Sequence, residues 1–212
     1  MTIQEYSQSF LFSFKVLFRP IKNFYELKFE KEGRLSVGLS ILLMVIITFI
    51  MRRQLTRFIF QDPFLDPKDL NIITEALGIL VPFFLWCIAN WCLTSLMEGD
   101  GSFKDIVTAS GYALLPLVII NIPLILASWV MTLEESGFYV MFDTVANVWM
   151  MLLVFVATMV IHQYSLKKTF AVVLLTIVGM GVISFIALLF SSLIQQMYAF
   201  CYSIYKELIF RL

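Results

Sequence analysis

The sequence predicts an all-α membrane protein: a polytopic transmembrane helical bundle of about five spans, with an amphipathic interfacial helix at each end. Hydrophobic residues make up 60% of the 212 residues and charged residues only 14%, and the mean hydropathy is +0.90. Soluble domains are nearer half apolar and a quarter charged. The apolar residues are concentrated in runs of about 17 to 26 residues, long enough to cross a hydrocarbon core roughly 30 Å thick.

Five such runs organise the chain. The predicted spans are Leu35–Met51, Ala76–Met97, Ile106–Met131, Val145–Gln163 and Phe170–Ile194. The membrane domain is therefore expected at residues 35–194, between an N-terminal segment at 1–34 and a C-terminal segment at 195–212. The first span is the shortest, and we expect Arg52 and Arg53 at its end to snorkel to the headgroups so that it still crosses.

The N-terminal segment carries an apolar stripe beside a basic stripe. The apolar stripe consists of Phe10, Phe14, Leu17, Ile21 and Phe24, and the basic stripe of Lys15, Arg19 and Lys22. Both stripes recur at steps of three and four residues, which is typical of a helix lying in the membrane interface. Pro20 is expected to bend or restart this helix. The alternative is a helix that packs its aromatic face on the bundle itself; we favour the interface.

The C-terminal segment repeats this pattern. One stripe is formed by Met197, Cys201, Ile204 and Leu208, and the stripe beside it by Tyr198, Tyr202, Tyr205 and Ile209. Tyrosine suits the headgroup region, where an apolar ring and a hydrated hydroxyl group are both satisfied. We expect this helix to continue from the fifth span and to run out along the membrane surface.

The distribution of Lys and Arg predicts the orientation. With the N-terminus inside, nine of the fifteen basic residues lie in inner segments and six in outer segments. This bias favours a cytoplasmic N-terminus and an external C-terminus. The main argument against it is the cluster of Arg52, Arg53 and Arg57 on the outer side.

No group of side chains in the sequence matches a catalytic or metal site, so we predict a non-enzymatic protein without a cofactor. The middle of every predicted span lacks Asp, Glu, Lys and Arg, which also argues against an ion-coupled pump. The single histidine, His162, is interpreted as an interfacial anchor, and one His with three scattered Cys cannot build a zinc site. Fifteen basic and fifteen acidic residues cancel, so nucleic acid is not an expected partner.

The third span is expected to be broken. It contains Gly-Tyr-Ala-Leu-Leu-Pro at residues 111–116 and continues through Asn121 and Pro123 to Met131. Pro116 and Pro123 each free a backbone carbonyl group, which must find a partner inside protein; Tyr112 and Asn121 are the candidate donors. We therefore predict that Tyr112 lies at an interhelical contact and that this span packs against protein.

Three asparagines lie at membrane depth: Asn90, Asn121 and Asn147. Asn side chains can hydrogen-bond neighbouring helices, contributing about 0.6 kcal/mol on average. They can also line a polar path, so a passive permease or channel remains an alternative. We favour hydrogen bonding between helices.

Gly-Asp-Gly-Ser-Phe-Lys-Asp-Ile at residues 99–106, leading into 111–116, resembles the Yip-domain family, which are small five-span membrane proteins named for interaction with Ypt/Rab GTPases. The family's Gly-Tyr-x-x-x-Pro motif is matched by Gly111, Tyr112 and Pro116. The resemblance extends to the five spans, to the predicted orientation and to Phe18-Arg19-Pro20 before an aromatic segment, and so covers nearly the whole chain.

Two departures place the chain with the bacterial branch of that family. Eukaryotic members carry Asp-Leu-Tyr-Gly-Pro where this chain has Val-Leu-Phe-Arg-Pro at residues 16–20, and their N-terminal region is longer. Both departures put GTPase binding in doubt and imply a bacterial plasma membrane.

Many bacterial members accompany ABC-type carbohydrate importers. The resemblance thus implies a scaffold or accessory subunit that binds another integral membrane protein, such as the permease of a sugar importer. A membrane-shaping or trafficking protein is a further alternative.

Overall fold

The computed structural model describes residues 3–30, 32–57, 60 and 71–211, and within them the secondary structure is helical. The helices are α1 (Ile3–Phe18), α2 (Pro20–Phe29), α3 (Leu35–Leu55), α4 (Ile72–Leu96), α5 (Phe103–Ala113), α6 (Leu115–Ala127), α7 (Ser136–His162) and α8 (Leu166–Arg211). A short 3₁₀ turn, Leu133–Glu135, precedes α7. The all-α prediction is confirmed.

Within the described residues, five helical segments are long and apolar enough to cross a membrane, as predicted. They are Leu35–Leu55, Ile72–Leu96, Phe103–Ala127, Leu133–His162 and Leu166–Glu207. All five differ from the prediction at one or both ends, and two of these differences bear on charged residues. The first continues past Met51 through Arg52 and Arg53, and the fourth begins near Leu133 and not at Val145. Asp143 therefore lies inside a helix and not in a polar loop.

The third span is interrupted at Leu114, which separates α5 from α6. Ser102 caps α5 through a reciprocal pair of hydrogen bonds with Asp105. Pro116 occupies the first turn of α6, where a missing N–H costs little. Of the residues in this span's most apolar window, 67% are buried, against 39% or less in the other four spans. The expectation that the broken span packs against protein is confirmed.

The broken span lies at the centre of the bundle. Its first half, α5, contacts α3, α4 and α7, while its second half, α6, contacts α3 and α7. The last helix, α8, packs on α4 and α7 at the periphery. The largest buried cluster joins α1, α2, α3, α5 and α7 around Tyr112.

The N-terminal segment forms two helices that restart at Pro20, as predicted, but its apolar stripe is divided. Leu17 and Phe24 are buried in the main cluster, whereas Phe14 and Ile21 are exposed. The buried side of the segment also includes Phe12, Val16 and Leu27. A single lipid-facing stripe was therefore wrong, because the helices are apolar on two sides and the inner side packs on the bundle.

The fifth span continues into the C-terminal segment without a break. At 46 residues, α8 is about 69 Å long at 1.5 Å per residue. Beyond Ser184, every side chain that the structure describes is exposed. Leu208, predicted in the apolar stripe, lies outside the described side chains. The second half of α8 thus buries none of its described side chains in the bundle.

Candidate functional site

The first residue of the Gly-Tyr-x-x-x-Pro motif lies where two backbones meet. A methyl group added to Gly111 of α5 would lie 2.7 Å from the carbonyl oxygen of Gly38 in α3. A methyl group on Gly38 would in turn lie 3.0 Å from the carbonyl oxygen of Thr108. Only glycine permits helices to approach this closely. The sequence singled out Gly111, but its partner Gly38 carries no local signal.

Tyr112 is fully buried at a contact between α5, α1 and the start of α3. Its hydroxyl oxygen accepts a hydrogen bond from the backbone N–H of Arg34 at 3.3 Å. Its ring packs edge-to-face on Phe12, with 6.4 Å between the ring centroids. The second motif residue thus joins the N-terminal segment to the membrane domain.

The carbonyl group that Pro116 frees has a backbone partner. The N–H of Leu114 is shared between the carbonyl oxygens of Gly111 and Tyr112. Asn121 was expected to donate to a carbonyl group that a proline frees. This is wrong for the contacts described, since its amide donates to the carbonyl oxygen of Leu117, four residues earlier, at 2.8 Å. Pro123 lies inside α6, one turn from that bond.

A polar cluster links α3, α6 and α7 near the predicted outer end of the bundle. Arg52 Nη1 donates to Asn121 Oδ1 at 2.9 Å and to Asp143 Oδ1 at 2.5 Å. Its guanidinium carbon also lies 5.7 Å from the ring centroid of Tyr139. Arg52 was predicted to snorkel outwards; it turns inwards because α7 begins early enough to place Asp143 opposite it.

The adjacent arginine is paired in the same way. Arg53 forms a salt bridge with Glu75 in the first turn of α4. Paired charges of this kind are the usual way in which ionisable groups are accommodated at membrane depth. Charge pairing between helices therefore replaces the predicted contact of Arg52 and Arg53 with headgroups.

At the opposite end of the bundle, the turn at residues 98–102 covers His162. The ring is buried, and Nδ1 accepts a hydrogen bond from the N–H of Gly101 at 3.2 Å. This places the proton of the neutral ring on Nε2, which has no hydrogen-bond partner in the described part of the chain. A methyl group on Gly99 would lie 2.5 Å from Nδ1. His162 was predicted as an interfacial anchor, but it is buried beneath the turn.

Tyr164 adds to this contact between His162 and the turn at residues 98–102, which we call the junction at His162. Its ring stacks on His162 at 5.4 Å between centroids, and its hydroxyl group donates to the carbonyl oxygen of Met97 at 3.0 Å. Burial raises the pKa of the Tyr164 hydroxyl, and the negative charges of Asp100 and Glu98 raise it further. The hydroxyl group therefore remains protonated and keeps donating at neutral pH.

Lys28 ties α2 to the same junction. Its Nζ donates to the carbonyl oxygen of Ile161 at 2.7 Å and to that of Asp100 at 3.0 Å. A cation at the C-terminus of α7 also complements the helix dipole. The sequence did not distinguish Lys28 from the other basic residues, because its partners are backbone atoms distant in sequence.

The predicted basic stripe faces away from the bundle. Lys15, Arg19 and Lys22 are all exposed, and Lys22 pairs with Glu26 one turn later at 3.3 Å. The surrounding exposed apolar side chains are Leu11, Phe14, Phe18, Ile21 and Tyr25. This outer face combines basic and aromatic side chains, the composition of an interfacial helix.

The three asparagines do not form one hydrogen-bonded set. Asn121 belongs to the Arg52 cluster, and the Asn147 amide donates to the backbone carbonyl oxygen of Asp143 at 2.8 Å. The Asn90 side chain is buried in α4, and neither of its polar atoms has a hydrogen-bond partner in the described ranges. Across those same ranges, no group of three or more His, Cys, Asp and Glu side chains could hold a metal ion.

A protein-family model, described as the Yip1 domain, matches residues 14–202. The match includes the Gly38–Gly111 contact, the Arg52 cluster and the junction at His162. No curated protein and no solved structure matches the chain. The family match therefore bears on the whole membrane domain and on most of α8.

Proposed function

Because the chain belongs to the Yip1-domain family, we propose that this multi-pass membrane protein is a non-enzymatic scaffold or accessory subunit that binds another integral membrane protein through its helices. The main observation that supports this proposal is the exposure of the second half of α8. The bundle buries its own polar clusters, whereas this helix extends beyond it.

The length of α8 exceeds what one membrane crossing requires. About 20 residues cross a hydrocarbon core, and α8 has 46. The remaining turns carry large exposed apolar side chains, including Phe190, Tyr198 and Phe210. An isolated apolar helix is unstable in water, so these turns need a cover of lipid or protein.

Polar side chains on the same turns favour protein as that cover. Ser191, Ser192, Gln195 and Gln196 are exposed among the apolar residues. The Ser191 hydroxyl group already donates to the carbonyl oxygen of Ala187 in its own helix at 2.8 Å. In lipid, however, the amides of Gln195 and Gln196 lack partners, and in water the apolar neighbours are unfavourable. Another membrane protein can satisfy both, because polar groups between membrane helices hydrogen-bond across the contact.

For the partner, we propose the permease of an ABC-type sugar importer in a bacterial plasma membrane, with the N-terminus cytoplasmic and the C-terminus external. The resemblance to the bacterial branch supports this choice. The N-terminal segment supports it further, because much of its inner face is used in packing on the bundle and is not free to bind a GTPase.

Site-specific photocrosslinking tests the proposal. A photoreactive residue at Tyr198 is compared with one at Leu126 of α6; these side chains are 71% and 68% exposed. We expect Tyr198 to crosslink to one integral membrane protein, identified by mass spectrometry, and Leu126 to crosslink mainly to lipid. A permease subunit as the product supports the finer assignment. Recovery of this chain alone, or equal products at both positions, contradicts the proposal.

The Asn90 amide, which is buried and has no hydrogen-bond partner among the residues that the structure describes, favours a passive permease as the second candidate. Such a function requires flux through reconstituted liposomes that is lost on Asn90→Leu while the protein remains folded. Solute flux equal to that of empty liposomes excludes it.

A further inference from the structure

A groove of about 440 Å³ lies between α2 and the C-terminal end of α7. Ile21 and Tyr25 of α2 form one wall, and Met159 and Val160 of α7 form the other. Lys22 also lines the groove, as do two residues that follow α7, Gln163 and Tyr164. The groove therefore combines an apolar channel with polar groups at a helix end.

The position of the groove along the spans matches the boundary of a bilayer. α7 ends at His162, where Gln163 adopts a left-handed conformation, and α8 begins at Leu166. Two membrane-spanning helices thus meet beside the groove. A turn between two such helices is expected at headgroup level, with Met159 and Val160, on the last turn of α7, on the hydrocarbon side.

The charges around the groove favour an anion. Lys22 lines it directly, and Nζ of Lys168 lies 4.2 Å from the ring centroid of Tyr164, another lining residue. Glu26 pairs with Lys22, but the Lys22 side chain remains 68% exposed and can turn to a second anion. The Gln163 amide adds a hydrogen-bond donor. Basic pockets between membrane helices at this level suit anionic lipid headgroups.

We propose that this groove binds one anionic phospholipid. An acyl chain lies between Ile21 and Met159, and the phosphate group lies within reach of Lys22, Gln163 and Lys168. The lipid would fasten the outer face of α2 to the end of α7, on the side opposite the contacts that α2 makes with the core. This site does not depend on which protein binds α8.

Native mass spectrometry of the full chain in mild detergent tests this assignment, with phosphatidylglycerol compared with phosphatidylcholine of the same acyl chains. We expect one retained phosphatidylglycerol per chain and no retained phosphatidylcholine at the same concentration. Replacing both Lys22 and Lys168 by Gln is expected to lower occupancy by roughly tenfold or more. Ile21→Asp places a carboxylate in the groove from an exposed position and is expected to have the same effect.

The matched control is Lys15→Gln, which removes an exposed basic residue of the same segment outside the groove. It should leave occupancy unchanged. Equal retention of the two lipids, an equal loss on Lys15→Gln, or full retention in the double Lys variant would each overturn the assignment. Glycerol 3-phosphate should not compete at lipid-equivalent concentrations; competition would indicate a site for a soluble phosphate and overturn the lipid assignment.

Discussion

Gly38 of α3 and Gly111 of α5 touch backbone to backbone, and a methyl group on Gly111 would lie 2.7 to 2.8 Å from three backbone atoms of Gly38. Backbone atoms cannot move aside as the end of a flexible side chain can. The glycine of the family motif is therefore explained by a helix crossing. That crossing also brings Tyr112, the next residue, into the core beside the N-terminal segment.

Gly111→Ala should destabilise the bundle by about 1–3 kcal/mol, the usual cost of overpacking. The measurement is thermal unfolding in mild detergent. Gly181→Ala is the control, since a methyl group there would meet no atom within 4 Å. Equal melting temperatures for the two variants would show that the α3–α5 crossing is not constrained as described.

Tyr112→Phe should be milder than Tyr112→Ala. Phe keeps the ring on Phe12 and loses the hydrogen bond with Arg34, at a cost of about 0.5–1.5 kcal/mol. Ala leaves a cavity in the core and should cost about 3–5 kcal/mol. Unfolding in detergent ranks the two variants, and an Ala variant as stable as Phe would contradict the packing role of the ring.

Arg52 and Asp143 should be energetically coupled. Removing either partner leaves the other as a poorly solvated charge. The losses of stability caused by Arg52→Gln and by Asp143→Asn should therefore, when added, exceed the loss in the double variant. A double-mutant cycle on the free energy of unfolding should yield a coupling of about 0.5–3 kcal/mol. Strict additivity would indicate that the two side chains point separately to solvent or headgroups, as had been predicted for Arg52 alone.

Lys28→Met should loosen the N-terminal segment. It removes both hydrogen bonds from α2 to the carbonyl oxygens of Ile161 and Asp100. Hydrogen exchange should accelerate at the amides of α2, which then opens more readily from the bundle. Lys15→Met, on the exposed face, is the control. Equal exchange in both variants would contradict the view that the Lys28 hydrogen bonds hold α2 on the bundle.

The five spans and the broken third span could be predicted because their signals are local. Each apolar run is long enough to cross a bilayer, and Pro116 has no backbone N–H with which to continue the preceding helix. The pairs that hold the bundle together carry no such signal. Gly38 and Gly111 lie far apart in sequence, as do Arg52 and Asp143, and nothing near either member identifies its partner.

Hydropathy, proline positions and the Gly-Tyr-x-x-x-Pro motif were enough to identify an all-α, five-span membrane protein of a recognisable family with a kinked central helix. Which apolar faces meet protein became clear from the packing of the helices: the inner side of α1 and α2 is buried in the bundle, while the described side chains in the second half of α8 are exposed. The sequence does not distinguish these faces because lipid tails and a protein interior are about equally apolar. Hydropathy therefore indicates that a side chain avoids water. Whether that side chain contacts lipid or protein depends on the contacts between helices.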